Sequence, residues 1–174
     1  KRLGVDCIEL RQAKDLETPY DGIILPAAEH RPGKALKELG MFDTIKEQIE
    51  NGMPVLQLAG LILLASEVEG QEGCHFGTIP MCVRRNAYGR QLGSFFTDDR
   101  FGGSERIPMT FIRAPYIEAL GNNVEVLSIV DSNIVAAQQD NMLVTAFHPE
   151  LDMDLTVHSV IYSMVEQFRL KNAG

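Results

Sequence analysis

The chain is 174 residues long, 45% hydrophobic and 23% charged, with a formal net charge of -8 and a pI near 5.0. That length accommodates one domain, residues 1–174, with a sizeable core, and the composition is ordinary for a globular protein. The acidic balance argues against a nucleic-acid binder, because phosphate neutralisation needs a concentrated Lys/Arg surface and Arg84, Arg85 and Arg90 form the one basic cluster.

Cys7, Cys74 and Cys82 are an odd number without metal-ligand spacing. They point to neither a disulfide framework nor a zinc site, so no metal or cofactor is expected and a reducing cytoplasm fits best. The longest apolar region, residues 56–68, is too short to cross a bilayer, and the N-terminus has no charged-then-apolar signal pattern.

Residues 4–11 alternate apolar and polar side chains, which predicts a strand with one solvated face; residues 13–18 predict a short helix or loop. Asp21-Gly22-Ile23-Ile24-Leu25-Pro26 predicts a second, more uniformly apolar strand, central in a parallel sheet and ended by Pro26. Across residues 34–51 the spacing of Leu36, Leu39, Phe42, Ile45 and Ile49 predicts a helix with one buried face, interrupted near Gly40 and closed by Gly52. Pro54-Val55-Leu56-Gln57-Leu58 predicts a third strand, after which Ala59-Gly60-Leu61 turns into an apolar helix running to Glu69. Strand–helix alternation of this kind implies a parallel sheet with crossovers.

After Gly77 the pattern changes to short strand-like runs at residues 78–86, 91–97, 109–113, 124–130, 134–138 and 142–147. Asp131-Ser132-Asn133 and Gln139-Asp140-Asn141 predict hairpin turns between them. Residues 156–170 close the chain as a helix with Val157, Ile161, Met164, Val165 and Phe168 on the side that packs on the sheet. The predicted class is α/β, a mainly parallel sheet flanked by helices with an antiparallel second-half section.

His148-Pro149-Glu150 falls where the strand of residues 142–147 gives way to a loop, and loops at strand ends are where sites are built. A His and a Glu with a Pro fixing the backbone between them suit an imidazole that takes a proton from a nucleophile while a carboxylate holds its tautomer. The same residues also suit a plain turn with an exposed His and a helix-capping Glu.

Five strings take the reading further: Asp21-Gly22-Ile23-Ile24-Leu25-Pro26, Ala59-Gly60-Leu61-Ile62-Leu63-Leu64, Arg85-Asn86-Ala87-Tyr88-Gly89-Arg90-Gln91, Phe111-Ile112-Arg113-Ala114-Pro115 and Phe147-His148-Pro149-Glu150-Leu151. In these the chain resembles the class I glutamine amidotransferases, and within them the glutaminase subunits of pyridoxal 5'-phosphate synthases. The resemblance implies hydrolysis of L-glutamine to glutamate and ammonia for vitamin B6 biosynthesis, with the ammonia passed to a barrel-fold synthase subunit. It implies that His148 is the base and then the acid and that Glu150 orients it. Arg85, Ile112 and Arg113 match the glutamine-binding positions, where a guanidinium can hold the substrate carboxylate with a charge-assisted fork, and Glu29 is carried over beside them.

The sequence departs from that pattern in three places. The family's Gly-Thr-Cys-Ala-Gly turn appears as Gln57-Leu58-Ala59-Gly60, one residue shorter and with Leu58 in place of the nucleophilic cysteine. The family's Pro-Gly-Gly-Glu-Ser appears as Pro26-Ala27-Ala28-Glu29-His30, which adds Cβ atoms where backbone amides approach the substrate. The first family strand and its Leu-Gln-Gly loop are missing ahead of the segment matching residues 1–11. Cys7 and Cys82 in strand interiors and Cys74 in a Gly-flanked loop are not convincing replacements. Two functions therefore stand side by side: a glutaminase subunit, or a non-catalytic relative acting as scaffold or regulatory partner of the synthase.

Overall fold

A computed structural model describes residues 4–26, 32–70, 73–84, 94–103, 106–112 and 114–172. Its elements, in chain order, are a 3-10 turn at Ala13–Glu17, β1 (Ile23–Leu25), α1 (Pro32–Glu38), α2 (Phe42–Glu50), β2 (Val55–Gln57), β3 (Ala65–Val68) and β4 (Ile79–Arg84). There follow β5 (Ser94–Arg100), β6 (Arg106–Ile112), β7 (Tyr116–Leu120), β8 (Glu125–Val130), β9 (Asn133–Gln139), β10 (Met142–Thr145), a 3-10 turn at Pro149–Leu151 and α3 (Thr156–Asn172).

Eight strands form one mixed sheet in the order β1-β2-β10-β9-β7-β4-β3, with β8 paired to β9, while β5 and β6 form a separate two-stranded ladder. The parallel section is where uniform apolarity places it: β2 lies between β1 and β10, parallel to both, with Val55 opposite Ile23 on one side and Met142 on the other. Every residue of β2 and of β10 is buried, as befits strands covered on both faces. The antiparallel section follows from turn chemistry. Val130 pairs with Asn133 across Asp131 and Ser132, whose φ of 50° and 68° supply the two left-handed residues that a two-residue hairpin needs. At the next turn Asp140 has φ 51°, and the Asn141 side-chain Nδ2 donates to the carbonyls of Ile49 (2.9 Å) and Met53 (2.7 Å), tying the end of α2 to the start of β10.

The interrupted helix is two helices joined at Gly40, whose φ of 73° turns the chain sharply. Phe42, Ile45 and Ile49 are buried as their spacing predicts, but Leu39, in the turn before α2, is 48% exposed and off the buried face. The terminal helix buries Val157 and Ile161 against the sheet. Its Val165 comes so near β1 that a Cβ on Gly22 would stand 2.6 Å from Val165 Cγ2, so glycine is what lets helix and strand meet there.

Three sequence expectations fail, all because pairing partners are a tertiary property. The strand of residues 23–25, expected to be central, is the edge of the described sheet, with Ile24 47% exposed. Residues 4–11 are not a strand. They run as irregular chain, exposed up to Glu9, because β1 is the edge of the sheet and no described strand lies beyond it to complete a ladder. Residues 61–69 are not a helix either: turns at residues 62–64 lead into β3, which pairs parallel to β4, with Ser66 Oγ both donating to the Met81 carbonyl (3.3 Å) and accepting from its amide (3.2 Å). Non-local hydrogen bonding overrides local helix propensity there. β7 was not foreseen; it fills the sheet between β9 and β4.

The β5–β6 ladder is lashed to the main sheet. Ser128 Oγ donates to the Arg100 carbonyl (2.7 Å) and the Gly102 amide to the Leu127 carbonyl (2.6 Å). Four phenylalanines complete the join: Phe95 stacks on Phe111 at 4.5 Å, and Phe101 and Phe111 meet Phe147 edge-on at 6.3 and 5.7 Å. Phe147 is fully buried. Truncating it to alanine removes the centre of this cluster and is expected to cost about 3–5 kcal/mol. Urea denaturation of Phe147→Ala measures this, and a loss under about 1 kcal/mol would contradict the assignment of Phe147 as the joint between the two sheets.

Candidate active site

β10 delivers the His-Pro-Glu turn. Thr145 Oγ1 donates to the Phe147 carbonyl (3.1 Å), the Phe147 ring is held in the aromatic cluster, and the next residue, His148, emerges half-buried. Its imidazole Nδ1 lies 2.5 Å from Glu150 Oε1, with side-chain exposures of 15% and 35%. An ionised carboxylate only accepts, so Nδ1 carries the hydrogen and Nε2 is left with a free lone pair, the state a general base requires. Pro149 fixes the bend of the turn that brings the two side chains together.

Beside this pair, β2 ends in a tight elbow. Leu58 donates its amide to the Leu25 carbonyl (2.9 Å), Ala59 to Phe147 (3.1 Å) and Gly60 to Thr145 (3.0 Å), so three successive amides stitch the turn to β1 and to the strand that carries His148. Ala59 has φ 50°, a strained value for a residue with a Cβ. The sequence puts Leu58 at the nucleophile position. In the structure, however, Leu58 is 6% exposed and belongs to the core, while the left-handed apex belongs to Ala59. Gln57, also buried, staples the elbow from behind: its Oε1 accepts from the Leu64 amide (3.4 Å). Neither Leu58 nor Ala59 carries a nucleophilic atom, and the amides of residues 58–60 all point at carbonyls.

Ile112 ends β6, 45% exposed, on the same ladder whose Thr110 carbonyl accepts from the His148 amide (2.8 Å). The structure therefore brings His148, Glu150, the elbow and β6 together. Glu29, Arg85 and Arg113 lie outside the described residues, as do Ala27, Ala28 and His30. Sequence reasoning missed Thr110 and Asp152, described below, because nothing in their spacing links them to residue 148.

None of the three cysteines lies on the elbow or on the His148 turn. Cys7 and Cys74 are exposed, Cys7 on irregular chain rather than in a strand. Cys82 lies half-buried on β4 with its Sγ 3.8 Å from Glu118 Oε2. Burial, then the negative charges of Glu67 and Glu118, push its thiol pKa up, so its thiolate is scarce at neutral pH. Among the described residues no group of three His, Cys, Asp or Glu side chains is arranged to hold a metal ion, and no helix is long and apolar enough to cross a membrane. Alkylation at pH 7.5 followed by peptide mass mapping is expected to label Cys7 and Cys74 before Cys82; first labelling at Cys82 would contradict its raised pKa.

The fold and the His–Glu pair define a class I glutamine amidotransferase-like protein. A solved structure described as a glutamine amidotransferase superposes with a TM-score of 0.87 at 34% identity, covering 95% of this chain and 89% of that one. The model of the SNO glutamine amidotransferase family matches residues 1–168, and the chain belongs to that family. It is similar to pyridoxal 5'-phosphate synthase subunit PdxT of Desulfitobacterium hafniense, 47% identical over 167 residues, covering 95% of this chain and 84% of that protein. The subunit of the same name from Haemophilus influenzae is 50% identical over 163 residues, covering 91% and 85%.

Proposed function

We propose that this chain is a glutaminase-type subunit of pyridoxal 5'-phosphate synthase in which the covalent step has been lost. In the reaction of its class, glutamine and water give glutamate and ammonia, and the ammonia passes to a barrel-fold synthase subunit. In this reading Arg85 and Arg113 hold the glutamine carboxylate, Ile112 and Glu29 line the same pocket, and His148 moves the proton under the orientation of Glu150. The similarity to PdxT subunits along nearly the whole chain supports the partner and the substrate. The same similarity fits a cytoplasmic enzyme of vitamin B6 biosynthesis.

The observation that carries the loss is the elbow. Its strained apex is an alanine, the preceding leucine is buried, and the amides of residues 58–60 that line it are already engaged. A thioester needs a thiolate at that apex, and the tetrahedral oxyanion needs free donors there. His148 and Glu150 without these can polarise a water, but they cannot form the acyl intermediate. The second reading, a scaffold or regulatory partner of the synthase, is favoured by the same elbow, since a chain that keeps the fold and the family strings retains the means to bind the partner.

Losing the nucleophile of such a constellation costs on the order of a million-fold in turnover. Ammonia release from glutamine, with or without the synthase subunit, is accordingly expected to match that of a His148→Ala control. Because the apex is residue 59, Ala59→Cys is expected to gain labelling by a glutamine-mimicking thiol alkylator, and Leu58→Cys is not. Robust turnover by the unaltered chain, or labelling of Cys7, Cys74 or Cys82 that abolishes turnover, would overturn the proposal.

A further inference from the structure

We infer that Thr110 is a positioning residue for His148 and Glu150, gripping both ends of the turn that carries them; this rests on reading those two as the catalytic pair. The turn is short and poorly held from within. Pro149 has no N–H, and the internal bonds are long, with the Leu151 amide 3.2 Å from the His148 carbonyl and the Asp152 amide 3.3 Å from the Pro149 carbonyl. A 3-10 turn with such bonds does not define its side chains to the fraction of an ångström that a proton transfer needs.

The missing definition comes from β6. The Thr110 carbonyl accepts the His148 amide at 2.8 Å, and the Thr110 hydroxyl donates to Asp152 Oδ2 at 3.3 Å. One half-buried residue thus holds residues 148 and 152, and Glu150 lies midway between the two anchor points. Any residue supplies the carbonyl; only Thr or Ser supplies the second anchor at this reach. Two positions along the same strand, on the same face, stands Ile112, one of the proposed substrate positions. A single strand therefore sets the spacing between the substrate pocket and the base, and Thr110 transmits it.

The test reads the imidazole directly, in the full chain. Thr110→Val keeps the β-branched shape and the carbonyl and removes only the hydroxyl, while Thr110→Ser restores it. With the ring neutral, the two imidazole 15N shifts report which nitrogen holds the hydrogen, and amide exchange reports the anchor at residue 148. Thr110→Val is expected to bring the two ring shifts toward each other and to speed exchange of the His148 amide about tenfold, the worth of one hydrogen bond to a charged group. Thr110→Ser is expected to return both to their original values. Asp152→Ala, which leaves β6 untouched, is expected to reproduce the effect, and the double variant to be no worse than either single one. Unchanged ring shifts in Thr110→Val and Asp152→Ala, or additive effects in the double variant, would overturn the inference. Neither readout depends on turnover. The clamp can thus fail while the assignment of His148 and Glu150 as the proton-moving pair stands, and that assignment can fail separately, by His148→Ala leaving any turnover of Ala59→Cys unchanged, with the clamp intact.

Discussion

The parallel ladder between β2 and β10, carried past the strand ends by the Ala59 and Gly60 amides, is the constraint on which the rest of the structure depends. These bonds hold the elbow against the turn that presents His148. Three successive amides, those of Leu58, Ala59 and Gly60, each meet a carbonyl, so the backbone of the elbow is fixed by the fold.

A second layer of control comes from outside the main sheet. The β5–β6 ladder reaches the site through the stacked phenylalanines and through Thr110, so its packing and the geometry of His148 are linked. The aromatic cluster is non-directional and tolerant, with each ring contact contributing on the order of 1 kcal/mol beyond burial. The hydrogen bonds at Thr110 are directional. Together they place a ladder close to the core and then set its register against the turn.

The elbow follows a fully buried central strand. Elsewhere the chain retains what holds such a fold together: uniformly apolar central strands, left-handed hairpin residues, and a glycine where α3 meets β1. The residues that hold the fold and those that form the candidate site are largely different ones.

Much of this was legible in the sequence because it depends on local rules. Uniform apolarity marked residues 55–57 as a central parallel strand and residues 23–25 as a parallel strand, though not as the edge strand it is; the Asp-Ser and Asp-Asn pairs marked the hairpins, and His-Pro-Glu marked the turn with its paired imidazole and carboxylate. Residues 4–11 carry a strand's alternation without a strand's partner, and residues 61–69 carry a helix's apolarity but find β4 instead. In both, the deciding hydrogen bonds come from residues distant in the chain, which no window of sequence contains. The same holds at the site: the sequence points to Leu58, but only the folded turn decides that the strained apex is Ala59, because the left-handed residue falls where the carbonyls of β1, Thr145 and Phe147 take the amides.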